Sequence, residues 1–279
     1  MKICLILATF NRVNLTNRIL LQIQSFFPQH VPYSIIVVDG GSTDGTQELI
    51  KNNFNNVDLI IKNGAYWNQA MRLGIQAALK KDYTHLLLLN DDVKVFTEGF
   101  NSIIKLAATL KKSSVLVGYC VDPISRKTTY GALKRNSKFS KLNFSLLSEG
   151  ENTGQTFNAN CLLISKNVFL RVGNLSKVFA HSQGDIDFGL RCTKAGVPII
   201  QMNEPFGELA YNQEWAIRNS RLRLKNWRLI LLHPKGIRVN EWLYFCLKHG
   251  GPLGFLNFIW RYIKILFPTR ENARIHLYF

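Results

Sequence analysis

Four consecutive leucines, Leu86 to Leu89, stop on Asn90-Asp91-Asp92, and this junction constrains the fold more than any other stretch of the chain. An apolar run without alternation is a strand buried on both faces, and such strands belong to parallel sheets covered by helices on each side. The acids then stand at the carboxyl end of the strand, the edge on which open α/β sheets bind ligands. Two adjacent carboxylates repel each other unless a cation offsets them, and a hard divalent ion with oxygen ligands suits the pair. A plain Asn-Asp-Asp turn would have the same residues, because both types are common in turns.

The arrangement recurs twice upstream. Ile3 to Ala8 is an apolar run ending in Thr9-Phe10-Asn11-Arg12, and Tyr33 to Val38 ends in Asp39-Gly40-Gly41-Ser42-Thr43-Asp44-Gly45-Thr46. Helix-length stretches, Asn14 to Phe26, Thr43 to Asn53 and Trp67 to Lys80, lie between and after these runs. The β-α-β-α order predicts a parallel sheet with right-handed crossovers. Thr43 or Asp44 can cap the helix that follows the glycine-rich turn. The turn lacks Gly-x-Gly-x-x-Gly and the Walker lysine, which argues against dehydrogenases and P-loop enzymes.

In this order, Ala8 to Arg12, Val37 to Thr46, Leu89 to Asp92 and Gly184-Asp185-Ile186-Asp187-Phe188-Gly189-Leu190-Arg191 resemble the motifs of family 2 glycosyltransferases with the GT-A fold. The resemblance spans about residues 1 to 212 and implies an α/β architecture, a Rossmann-like, mostly parallel central sheet flanked by helices. It also implies transfer of a sugar from a nucleotide-diphosphate sugar, UDP or else dTDP, to a hydroxyl of a saccharide or lipid-linked acceptor. On that likeness, Thr9, Asn11, Arg12 and Asp39 hold the donor base and ribose, and Asp39 otherwise serves as a turn carboxylate. Asn90-Asp91-Asp92 aligns with Asp-x-Asp, making Asp92 the ligand of Mg²⁺ or Mn²⁺, with Asn90 and Asp91 on the donor. Asn63 to Asn68 would approach the donor pyrophosphate and bring Trp67, Asn68 and Arg72 to the pocket, helix packing being the alternative for Trp67. Thr156 to Ile164 resembles the strand beneath sugar and acceptor, with Asn158 and Asn160 alternating onto one face. Tyr211-Asn212 stands where many relatives carry a metal-binding histidine.

An acceptor hydroxyl is a poor nucleophile and needs a carboxylate to take its proton. Asp185 aligns with the aspartate of the family's Glu-Asp pair, Gly184 replacing the Glu, and is the expected base at the start of a helix from Asp185 to Ala195. Asp187 is its rival, although two residues along a helix points a side chain to a different face. Capping is the structural role open to both. His181, just upstream, is expected on acceptor or donor, an exposed loop histidine being the alternative. With no motif for a carboxylate nucleophile, direct displacement with inversion is the expected course.

At 279 residues the chain suffices for one good-sized core with an appended element. Cys4, Cys120, Cys161, Cys192 and Cys246 are odd in number and scattered through apolar runs, as buried thiols of a reducing compartment are. The first apolar run is too short for a signal peptide. The net charge is +17, and residues 213–279 contribute twelve Lys and Arg against three Glu, interleaved with aromatics. This division sets a catalytic domain over 1–212 and a C-terminal helical, basic, amphipathic segment over 213–279. Leu253 to Pro268 is shorter than the roughly 20 residues of a spanning helix. It fits an anionic membrane interface; packing on the domain or a homodimer contact is the alternative. No nucleic-acid-binding module is visible, and a sugar nucleotidyltransferase would carry a glycine-rich basic N-terminal loop absent here. Together these features predict an enzyme of surface polysaccharide or lipopolysaccharide synthesis, cytoplasmic and peripheral on the inner membrane. Its acceptor specificity is expected in the loops from about Val121 to Glu151.

Overall fold

The computed structural model describes residues 1–110, 113–137, 141–211 and 223–267. Its centre is an eight-stranded sheet in the order β11 (Thr153–Gly154), β14 (Ile199–Gln201), β6 (Val115–Val117), β13 (Cys161–Ser165), β4 (His85–Leu89), β1 (Ile3–Thr9), β2 (Tyr33–Asp39), β3 (Val57–Ile61). The four apolar runs that open the chain pair in parallel, and β13 enters antiparallel between β4 and β6. Register sets Thr9 opposite Asp39 and Cys161 opposite Leu89, so several strand ends converge on one edge.

Burial on both faces follows from the sequence as expected. Leu5, Leu7, Leu87 and Leu89 enter one core with α1 (Val13–Phe26), α2 (Thr46–Asn53) and α4 (Gly99–Thr109). Cys4, Ile6, Leu86 and Leu88 enter the other with α3 (Trp67–Leu79), α5 (Lys166–Val172) and α6 (Gly184–Lys194). All five cysteines are buried thiols, and burial pushes Cys4, Cys120, Cys192 and Cys246 up to about 12, which makes them inert.

Helix α2 begins three residues later than its composition suggests. Asp44 accepts from the Thr46 amide at 3.1 Å with one oxygen and from the Val13 amide at 2.9 Å with the other. One carboxylate thus closes the amino ends of two helices. The stretch from Thr156 to Ile164 is not one strand. Thr156–Phe157 (β12) joins β9 (Ala132–Arg135) and β10 (Phe144–Leu146) in a small sheet, and the chain turns through Asn158–Asn160 before β13. A second small sheet orders β5 (Lys94–Val95), β15 (Gly207–Glu208), β7 (Cys120–Val121) and β8 (Thr128–Tyr130).

The C-terminal segment is helical, with α7 (Trp227–Leu231), α8 (Val239–His249) and, after a short 3₁₀ turn, α9 (Gly254–Leu266). Helix α8 docks on the sheet domain, where its Phe245 and Trp242 share a third core with Phe179, Ile186 and Leu190. The expected boundary at 212/213, Asn212 and residues 268–279 lie outside the described residues.

Candidate active site

A cleft of about 890 Å³ opens along the sheet edge where β1 and β4 end. Its acidic wall is built by Arg12, whose Nη1 donates to Asp91 Oδ1 at 2.7 Å and to Asp92 Oδ2 at 3.2 Å. Burial pushes the Asp91 carboxyl up while the Arg12 charge and hydrogen bond hold it down; the net direction is upward. Arg18 fastens the same corner through the carbonyl of Asp92 at 3.0 Å. The sequence thus answers the repulsion of two adjacent acids with a guanidinium of its own.

Two acceptors on these acids, Asp91 Oδ2 and Asp92 Oδ1, are buried without a hydrogen-bond partner among the described residues. Orphaned carboxylate oxygens on two adjacent residues fit a hard divalent ion. No group of three His, Cys, Asp or Glu suited to a metal occurs among the described residues. The chain therefore offers two carboxylates, and an ion there would complete its shell with ligand and water, as Mg²⁺ commonly does.

Asn90 extends this wall by a relay. Its Oδ1 accepts from Trp67 Nε1 at 2.8 Å, and its Nδ2 donates to Asn160 Oδ1 at 2.7 Å. Trp67, Asn90, Asn158 and Asn160 all line the cleft, although the two asparagines stand on a turn rather than on one strand face. Asn158 Oδ1 is also buried without a hydrogen-bond partner among the described residues.

Asp185 faces these residues from the first turn of α6. Its Oδ1 accepts from the Ile186 amide at 2.9 Å and its Oδ2 from the Ala159 amide at 3.3 Å. Burial raises its pKa above 3.8 despite those amides and the nearby His181. Gln183 before it has φ of 63°, a left-handed conformation unusual outside glycine and the kind of strain that collects at functional sites. Gly184 is needed here for a packing reason, since a Cβ would lie 1.8 Å from Asn68 Oδ1. The Glu of the family pair has no room beside Asn68.

Five expected donor or acceptor residues lie elsewhere. Asp39 is fully buried and does not line the cleft; it accepts from the amides of Gly41 and Ser42, the Ser42 hydroxyl and Gln47 Nε2, which makes it the turn carboxylate. Asn11, with φ of 51°, ties its loop to the β2–α2 turn, accepting from Thr43 N and taking Ser42 Oγ as acceptor for its own amide. Asn68 is buried and donates to the carbonyls of Ser176 and Phe179, holding the strap that leads to His181. Asp187 is buried among Arg191, Lys248 and His249, at 2.7–2.8 Å from each. It is a docking post for α8 and faces away from the cleft. Arg72 likewise is not a cleft residue; its carbonyl takes Asn174 Nδ2.

Sequence reasoning missed Phe10, Tyr66, His233 and Lys235, all of which line the cleft. Phe10 is 54% exposed at the tip of β1, and that exposure of a large aromatic is visible only in three dimensions. His233 reaches Tyr66 Oη at 3.4 Å from a segment 167 residues away, a pairing with no local signal. Tyr211, which stands in the region where relatives carry a metal-binding histidine, also lines the cleft.

This architecture is that of GT-A glycosyltransferases. A mannosyltransferase, PcManGT from Pyrobaculum calidifontis, solved with GDP-Man and Mn²⁺, superposes with a TM-score of 0.55 at 15% identity, over 94% of this chain and 69% of that one. S. aureus TarS residues 1–349 match with 0.55 at 15% identity, over 95% and 81%, and the same fragment with UDP gives 0.57 at 14%, over 95% and 90%. No curated protein sequence matches the chain. The family model for glycosyl transferase family 2 matches residues 4–179, and the chain belongs to that family.

Proposed function

We propose that the protein transfers a sugar from a nucleoside-diphosphate donor, UDP-linked or else dTDP-linked, to an acceptor hydroxyl with inversion. The observation that supports this reading is that Asp185 lines the same cleft as Arg12, Asp91 and Asp92. A single-displacement reaction needs a base on one side of the reacting sugar and charge control on the other.

Asp185, held by two backbone amides, takes the proton of the attacking hydroxyl. Its pKa, raised by burial, makes it a better proton acceptor than an ordinary carboxylate. Arg12 binds the diphosphate end, and Thr9 and the exposed ring of Phe10 hold the nucleoside by hydrogen bonding and stacking. Asn90, Asn158 and Asn160 present amide groups to sugar hydroxyls. Asp92, with Asp91, would hold Mg²⁺ or Mn²⁺, which when bound supplies positive charge for the developing diphosphate leaving group. The acceptor is a saccharide, free or lipid-linked, as in the building of surface polysaccharide or lipopolysaccharide on the cytoplasmic side of the inner membrane.

The test is a panel of nucleotide sugars with Mg²⁺ or Mn²⁺, scored first by thermal shift and then by turnover. Release of nucleoside diphosphate with an inverted product anomer, read by NMR, is the expected outcome. Release of pyrophosphate, or retention of configuration, would refute the mechanism.

A further inference from the structure

Helix α9 is turned the wrong way round for water. The residues it buries include Arg261, 9% exposed, together with Gly254 and Ile265. Those it presents outward are Phe255, Leu256, Ile259, Trp260, Ile263 and Leu266, each between 38% and 61% exposed, and Phe267 follows at 72%. Their spacing is helical, so one continuous apolar stripe about 20 Å long runs along the outer side of this 13-residue helix. A surface helix in solvent normally places its cations outside and its Trp and Ile inside. A contiguous apolar patch of this kind on a monomer marks a contact site.

The charge around the stripe says what covers it. From residue 223 to 267 the segment carries Arg223, Lys225, Arg228, Lys235, Arg238, Lys248, Arg261 and Lys264, and a single acid. That acid, Glu241, is buried and takes Arg238 at 2.5 Å and the Ala180 amide at 3.2 Å, so no acid faces out from this stretch. A second copy of the chain would set two such cationic segments face to face, and a stable protein interface needs roughly 800 Å² per partner, more than one short helix face offers. An apolar stripe on a segment of strongly positive balance, with Trp260 in the stripe, is instead complementary to the headgroup boundary of an anionic bilayer. No described helix is long and apolar enough to cross a membrane.

We propose that α9 is a membrane-docking element, lying in the plane of an anionic phospholipid surface with Phe255, Leu256, Ile259, Trp260 and Ile263 inserted among the acyl-chain ends. The proposal stands independently of the sugar-transfer reading, because docking requires neither donor nor acceptor. A lipid-linked acceptor would be delivered to the cleft by the same contact.

The experiment is sedimentation of the full chain with vesicles of phosphatidylcholine alone or mixed with phosphatidylglycerol. It is repeated for the double variant Leu256→Asp, Ile263→Asp, whose side chains are exposed and whose fold is checked by circular dichroism and melting temperature. The expected result is binding to the mixed vesicles that weakens with salt and falls at least roughly tenfold in the variant. Equal binding of the two proteins, or equal binding to neutral and anionic vesicles, would overturn the proposal. So would a lipid-free dimer that the substitutions dissolve, since that outcome assigns the stripe to a second copy.

Discussion

Asp185 and Asp187 are neighbours in sequence whose surroundings drive them apart. Burial raises the first; for the second, hydrogen bonds from His249 and Lys248 and the Arg191 charge overcome burial and hold the carboxyl at about 2. The first therefore suits proton transfer and the second suits permanent charge. Asp185→Asn is expected to lower kcat by roughly 10² to 10⁴ while leaving nucleotide affinity nearly unchanged, measured by turnover and calorimetric titration. In the wild type, kcat should fall as pH drops through a pKa above 3.8, because the base is lost on protonation. Asp187 follows the opposite rule. Its folded pKa is depressed, so its stabilisation is complete above 3.8 and is lost as pH falls toward about 2. Asp187→Asn should cost about 2 kcal/mol at pH 7 by urea denaturation, and the gap from wild type should narrow as pH is lowered from 4 toward 2.

At the scale of elements, the parallel strands were readable because burial on both faces leaves an unalternating apolar run, and Leu86 to Leu89 is an extreme case. The convergence of the β1 and β4 ends on one edge was readable because neighbouring parallel strands must end together, but the pairing of Arg12 with Asp91 and Asp92 was not, since Arg12 was expected on the donor base and ribose. The split of Thr156 to Ile164 was not, since its two halves join different sheets and only long-range pairing separates them. Nor was the use of Asp39 and Asn68 as internal struts, because an amide or carboxylate looks the same whether its partners are backbone or ligand. Packing of the C-terminal helices on the domain stood among the sequence alternatives, but the role of Asp187 as its anchor was not legible, because it rests on contacts between residues some 60 positions apart. Phe245 has no exposure and packs on Phe179, Trp242 and His249. Phe245→Ala is expected to destabilise by about 3–5 kcal/mol, whereas Leu247→Ala, on the exposed side of the same helix, should stay within about 0.5 kcal/mol, both read from denaturation midpoints.

For the whole molecule, the cleft does not belong to the sheet domain alone. His233 and Lys235 line it from beyond residue 222, and the strap carrying His181 is held by Asn68 on one side and by Glu241 of α8 on the other. A ligand seated in the cleft therefore stabilises both parts at once, and its binding energy adds to the unfolding free energy of the assembled whole. With UDP at about 100 times its Kd, that gain is about 2.7 kcal/mol. If the segment and the domain unfold as one unit, UDP should move a single calorimetric transition to higher temperature and slow amide hydrogen exchange in α8 as well as in α6. Two transitions, with only the earlier part of the chain responding to UDP, would mean that the third core around Phe179 and Phe245 is too weak to couple them. The net charge of +17 adds a second signature. A polyanionic diphosphate drawn to a basic surface binds faster at low ionic strength, so UDP association rates should fall as salt rises while the slope of dissociation stays nearly flat. A flat association rate would place the steering cations outside the reach of the cleft.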